Sequence, residues 1–272
     1  MSTQPIAYDV IGDIAIIKPT PGFQGNATEI AGKIVAANKH LRTVLRQATP
    51  VSGEYRTRVL EWVLGEKKTE TVHREHGCQF KVDLARVYFS PRLLYERIRV
   101  ARKVARNETV INMFAGVGCF SIIIAKYSQA SKVFSMDINP EAIKYMLENI
   151  YLNKVAGRVS TILGDSRAIT ELHLRARADR VLMPLPAKAI AYLNAAIVAL
   201  KPKCGNIHVY DFVHAKRIEN PLQKTLDKIA PKLSQFGLNV IRKDMKIVRT
   251  VGPNWYQTVV DLTLRKPPTT NL

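Results

Sequence analysis

A chain of 272 residues, 47% hydrophobic, is long enough for one large domain or two smaller ones, and its 14 Gly and 14 Pro exclude collagen-like and low-complexity architectures. No window of about 18 uncharged apolar residues occurs, and residues 1–5 lack the basic and apolar regions of a secretory signal, so neither a membrane span nor a leader is expected. Lys and Arg total 41 against 22 Asp and Glu, a formal charge of +19, which points to a polyanionic partner, above all a nucleic acid.

Three scattered cysteines, Cys78, Cys119 and Cys204, do not make a disulfide framework; they fit a reducing compartment and a cytoplasmic location. The basic residues gather in three groups: Arg92, Arg97, Arg99, Arg102, Lys103 and Arg106; Lys201, Lys203, Lys216 and Arg217; Arg242, Lys243, Lys246 and Arg249. None is interleaved with the aromatic anchors of a membrane-surface helix, so phosphate is the better match.

Short strand-like runs fill the first third, at 8–18, 42–48, 56–64, 69–76 and 79–86, with one helical pattern at 26–37. This predicts a small α+β domain over 1–89. Ser90-Pro91 then opens an amphipathic helix to about 106, with Ser at the N-cap and Pro at the first helical position. From 108 the pattern alternates. Strands are expected at 109–113, 132–136, 159–163, 180–183 and 206–212, and helices at 118–127, 140–153, 190–200 and 221–236. A hairpin of 239–248 with 255–265 closes the chain, with Trp255 and Tyr256 in its core. Alternation at this spacing predicts an α/β domain over 90–272 with a parallel, Rossmann-like sheet, and the closing antiparallel pair resembles, by fold analogy alone, that of class I methyltransferases.

The strand at 109–113 runs into Phe114-Ala115-Gly116-Val117-Gly118-Cys119-Phe120-Ser121. Two glycines at a strand-to-helix turn let backbone approach a ligand, and free N–H groups lie beyond them. About 20 residues on, Asp137 ends the next strand, where a carboxylate can accept from two ribose hydroxyls. Asp165 ends the third strand, within reach of an adenine amino group. Ser121 stands where a dinucleotide fingerprint has its third glycine, so S-adenosyl-L-methionine (AdoMet) fits better than NAD. His73-x-x-His76-x-Cys78 has ligand-type residues but no fourth partner nearby, and no metal is expected.

Tyr88-Phe89-Ser90-Pro91-Arg92-Leu93, Glu96-Arg97, Asn112-Met113-Phe114-Ala115-Gly116-Val117-Gly118, Asp137-Ile138-Asn139-Pro140 and Leu152-Asn153-Lys154-Val155 resemble the archaeal and eukaryotic tRNA guanine-37 N1-methyltransferases over about residues 40–265. The aminocarboxypropyl transferases of wyosine synthesis are close relatives of that family. The resemblance implies Glu96 as the base that removes the N1 proton, Arg56 as the charge beside guanine O6, and Tyr88 as a wall of the base pocket. It implies Phe114, Gly116, Gly118, Asp137, Ile138, Asp165, Ser166 and Pro184 at the cofactor, and Arg56, Arg97, Pro184 and Pro186 at the substrate. Without it, Glu96 reads as a helix-surface partner of Arg99 or Arg92, and Arg56 as a strand-surface arginine.

Two departures from the family stand out. Its separate N-terminal domain, which touches the outer corner of tRNA, is not seen ahead of residue 1. Its usual Asn-Leu-Pro after the fourth strand is Pro184-Leu185-Pro186, as in the dual-function branch that also methylates C7 of 4-demethylwyosine. The implied activity is AdoMet-dependent methylation of guanosine 37 in the tRNA anticodon stem-loop by a monomeric enzyme, with C7 methylation alongside. Aminocarboxypropyl transfer and non-catalytic RNA binding are the competing readings.

Overall fold

β-branched runs broken by glycine and asparagine turns build the first third of the chain. The computed structural model describes residues 7–18 and 25–265. The expected strand at 8–18 is two strands, β1 (Tyr8–Ile11) and β2 (Ile14–Ile17), reversed at Gly12-Asp13. Gly12 has φ +56°, and a Cβ there would lie 2.1 Å from Thr71 Oγ1, so the turn admits only glycine. Helix α1 (Ala27–Ala37) starts where the Asn26 side chain accepts from Thr28 N and Glu29 N. Strands β3 (Thr43–Gln47) and β4 (Leu60–Gly65) complete a sheet of order β1-β2-β3-β4 in which β2 and β3 are parallel. Ala15, Ile17, Ala31, Ile34, Leu41 and Val44 form its core. β5 (Glu70–Glu75) and β6 (Cys78–Asp83) form a separate hairpin.

The segment opened by Ser90-Pro91 is a 3₁₀ turn, Pro91–Leu93, followed by α2 (Leu94–Lys103). Ser90 is extended but makes no side-chain capping bond. Then follow β7 (Thr109–Asn112), α3 (Cys119–Tyr127), β8 (Lys132–Asp137), α4 (Pro140–Leu152), β9 (Val159–Leu163), α5 (Ser166–His173), β10 (Arg180–Met183), α6 (Ala189–Ala199), β11 (Cys204–His214), α7 (Pro221–Gln235), β12 (Asn239–Gly252) and β13 (Trp255–Arg265). Every strand and helix expected after residue 108 is present within a few residues, and α5 is the one not anticipated. It is only eight residues long, too short for its periodicity to stand out.

The seven-stranded sheet runs β12-β13-β11-β10-β7-β8-β9. β7 to β11 are parallel, β13 inserts antiparallel beside β11, and β12 closes the edge. Its core gathers Ile111, Met136, Val181, Leu193, Ile207 and Val260, all buried. Strands buried on both faces read as continuous apolar runs, which is why β10 and the centre of β11 were legible. Trp255 is a correction: it is 46% exposed, with its ring edge-on to His214, rather than in the hairpin core.

By contacts the chain forms two compact units interleaved in sequence. One holds the described chain up to Leu94 with Gly116–Gly118 and Asn139–Lys154. The other holds Tyr95–Ala115, Cys119–Ile138 and the described chain from Val155. Among the described residues, no helix is long and apolar enough to cross a membrane.

Candidate active site

In the larger unit, β7, β8, β9 and β10 run side by side, so their carboxyl ends converge on one edge of the sheet. Open α/β sheets bind ligands at such an edge. Asp137 is the last residue of β8, and its carbonyl accepts from Gly164 N at the end of β9. Phe114, just past β7, packs edge-to-face on Tyr192 with centroids 5.2 Å apart. The Tyr192 hydroxyl donates to Asp165, and the Arg167 guanidinium lies 4.6 Å over the Tyr192 ring. Phe114, Tyr192 and Asp165 thus tie the ends of β7 and β9 to α6.

Asp165 is also the N-cap of α5, accepting from Arg167 N at 2.8 Å and Ala168 N at 3.2 Å. Burial would raise its carboxyl; the bonds from Tyr192, Ala168 and Arg167 outweigh it and hold the group below the usual carboxylate range. The next residue, Ser166, is buried, and its hydroxyl finds no partner among the described residues. A buried orphan donor beside the expected adenine position is what a bound nucleoside would satisfy. Pro184 and Pro186 follow β10, half-buried, in the bend where Leu185 O accepts from Lys188 N and Ala189 N. Gly116 and Gly118, in the smaller unit, have φ of 56° and 91°, and only a distant atom would meet a Cβ at Gly116. At Gly116 conformation, not space, calls for glycine.

Two expected base-pocket residues come together in the smaller unit. Arg56 does not lie on a strand. It sits in the turn that precedes β4, with φ 57° and its N–H bonded to Gly53 O, and its guanidinium is 5.8 Å from the Tyr88 ring centroid. Tyr88 is 38% exposed, so its ring is open to a ligand. Nearby, Asp9 takes the guanidinium of Arg92 at 2.6 and 2.9 Å and also pairs with Lys18. Burial would raise Asp9; the bonds from Lys18 and Arg92 hold it low. Burial also lowers Arg58, which neighbours both Asp9 and Tyr88. One carboxylate among several cations leaves this surface positive.

Glu96, on α2 in the larger unit, is only 3% exposed. Oε1 accepts from the Tyr210 hydroxyl and from Arg99 Nη2, each at 2.6 Å, and Oε2 accepts from Arg99 Nε at 2.7 Å. The pairing with Arg99 that the helix spacing suggests is therefore present, but buried and forked rather than on the surface.

The TRM5/TYW2 methyltransferase domain model matches residues 71–241, more than half of the sequence, and the TYW2 N-terminal domain model matches 1–69. This chain belongs to the TRM5/TYW2 methyltransferase family. It is 43% identical over 257 residues to the tRNA (guanine(37)-N(1))-methyltransferase Trm5b of Pyrococcus abyssi, covering 94% of this chain and 74% of that protein. It is 38% identical over 256 residues to the tRNA 4-demethylwyosine(37)-methyltransferase Taw21 of Saccharolobus solfataricus, covering 93% and 92%. The crystal structure of Methanocaldococcus jannaschii TYW2 in complex with AdoMet superposes with a TM-score of 0.73 at 28% identity, covering 96% of this chain and all of that one.

Within this TRM5/TYW2 framework, one expected substrate residue lies in the interior. Arg97 is 4% exposed, with its guanidinium 6.0 Å from the Phe120 ring. Of its basic group, Arg92, Arg102 and Arg106 are exposed, while Arg99 and Lys103 pair with Asp261. In contrast, Arg242, Lys243 and Lys246 are exposed on β12, and Lys203, Lys216 and Arg217 are exposed as well. His76 Nε2 bonds Leu94 O, His73 packs on Phe89, and Cys78 is buried.

Sequence reasoning missed a buried polar node under the glycine turn. Asn112 Nδ2 donates to Ser121 Oγ at 3.1 Å, and Ser135 Oγ donates to the same oxygen at 2.7 Å. All three residues are fully buried. Ser121, noted only as a missing glycine, fastens β7, α3 and β8 together. Single serines carry no pattern that would reveal this.

Proposed function

We propose that this protein uses AdoMet to methylate N1 of guanosine 37 in tRNA. The observation that carries the reading is the 43% identity to Trm5b along 94% of the chain, with Asp137, Asp165 and Ser166 on the ligand edge of the sheet. The region 1–89 would meet the tRNA and 90–272 would carry out the transfer. AdoMet fits the residues present: Asp137 would hold the ribose diol by charge-assisted bonds, and the Ser166 hydroxyl awaits a polar partner. When bound, AdoMet supplies an electrophilic methyl group on its sulfonium.

Guanine N1 carries a proton and is a poor nucleophile until that proton leaves. Glu96 takes the proton as general base. Arg56, braced by Tyr88, supplies fixed positive charge where negative charge builds on O6. The protein otherwise aligns nucleophile, methyl and leaving group, and this alignment provides much of the acceleration. The exposed basic residues and the cationic surface around Asp9 suit a phosphate backbone.

A second activity, C7 methylation of 4-demethylwyosine, is favoured by Pro184 and by the 38% identity to Taw21 over nearly its whole length. Proline offers no side-chain amide to hydrogen-bond a base edge. Nucleoside mass spectrometry tests both readings after incubation of AdoMet and enzyme with unmodified tRNA and with tRNA carrying 4-demethylwyosine. A methyl-sized gain on guanosine 37 is the expected result. An aminocarboxypropyl-sized gain instead would overturn methyl transfer.

A further inference from the structure

The proposed base, Glu96, is one end of a buried chain of charges within the larger unit. We infer that Tyr210, with Arg99 held by Asp261, is a positioning residue that fixes the Glu96 carboxylate for proton removal; this rests on the methyltransferase reading above. Arg99 forks across two carboxylates, Glu96 on one side and Asp261 on the other, where Nη1 donates to Oδ2 at 2.6 Å. Asp261 is itself anchored by Lys103 Nζ at 2.6 Å and by His208 Nδ1 at 2.6 Å.

The state of His208 follows from its other neighbour. Its Nε2 faces Arg180 Nη1 at 2.7 Å. A guanidinium can only donate, so Nε2 accepts, and the proton sits on Nδ1, directed at Asp261. Full burial keeps the imidazole neutral by pushing its pKa down, while the Asp261 bond opposes that shift. Arg180 is fixed in turn by Glu108 and by Lys103 O. Arg99 therefore cannot swing away without leaving a buried carboxylate unpaired.

Tyr210 completes the set. Burial, then the charge of Glu96, push its hydroxyl well above the usual range, so it stays protonated and donates. Its bond and that of Arg99 Nη2 fill the two lone pairs of Oε1. Oε2 is then the oxygen that receives the proton, and its direction is set by Arg99 Nε. Without these bonds the carboxylate would have several rotamers and no fixed acceptor.

The test is a double-mutant cycle in single-turnover methylation of guanosine 37, with AdoMet affinity measured by calorimetry. Tyr210→Phe keeps the ring against Phe120 and removes only the hydroxyl. It should slow transfer roughly 10–100-fold, the scale of one hydrogen bond to a charged group, and leave AdoMet affinity unchanged. Glu96→Gln should slow transfer by about 10²–10⁴-fold. The Glu96→Gln/Tyr210→Phe pair should be no slower than Glu96→Gln alone, because Tyr210 acts through the carboxylate. Asp261→Asn should show the same non-additivity and serves if Tyr210→Phe does not fold. A Tyr210→Phe enzyme at the unmutated rate, or losses that multiply in the pair, would overturn the positioning role and leave the reaction standing. An unmutated protein that transfers no methyl group overturns both.

Discussion

Asp137 ends β8 at the edge where four parallel strands finish, the edge at which open α/β sheets bind ligands. Asp137→Ala removes a charge-assisted bond pair, and AdoMet affinity by calorimetry should fall at least about tenfold. Pro184 poses a different question at the same scale. It lies in the bend after β10, half-buried and without a side-chain donor. Pro184→Asn adds an amide at that bend. The ratio of N1 to C7 methylation should shift toward N1, as read by nucleoside mass spectrometry, with AdoMet affinity followed by calorimetry. Loss of cofactor affinity in this variant would put Pro184 against AdoMet instead of the base.

Among the elements, α4 does work that its sequence hardly advertises. Asn149 and Asn153 lie one turn apart and face β6. Asn149 accepts from Lys81 N at 2.7 Å and donates to Lys81 O at 3.1 Å; Asn153 accepts from Gln79 N at 2.9 Å and donates to Gln79 O at 2.7 Å. β6 is paired with β5 on one side, and the two side chains satisfy the backbone on its other side as a neighbouring strand would. Asn149 also donates to Val117 O inside the glycine turn, so one amide braces both the hairpin and the turn. Asn149→Ala strands Lys81 N and Lys81 O in a partly buried place. It should lower stability by about 1–3 kcal/mol in chemical denaturation. A stability change within experimental scatter would mean that water replaces the amide there.

For the molecule as a whole, the proposed tRNA partner would be met through charge. The formal charge of +19 is not spread evenly. Ion pairs within the fold absorb Arg99, Lys103 and Arg180, whereas Arg242, Lys243 and Lys246 on β12, together with Lys216 and Arg217, remain exposed. Each phosphate contact releases counterions, so log Kd for tRNA should rise linearly with log salt. Reversing Lys243 and Lys246 to Glu should reduce that slope with little change in AdoMet affinity. An affinity that stays flat from low to physiological salt would remove the phosphate-contact role of this surface.

The sequence by itself determined the sheet. Short apolar runs mark β7 to β10, and glycine and aspartate punctuate their ends, so these strands were legible, as were the turn at Gly116 and Gly118 and the strand-end positions of Asp137 and Asp165. Only the tertiary structure decided which polar groups stay in the interior. Arg97 and Arg99 stand two apart in a basic run, yet Arg97 is buried beside Phe120 and Arg99 bridges Glu96 to Asp261 on β13. Ser121, Tyr210 and His208 were silent for the same reason. Their partners lie on other strands and helices, and a hydrogen bond between residues far apart in the chain leaves no periodicity in the sequence.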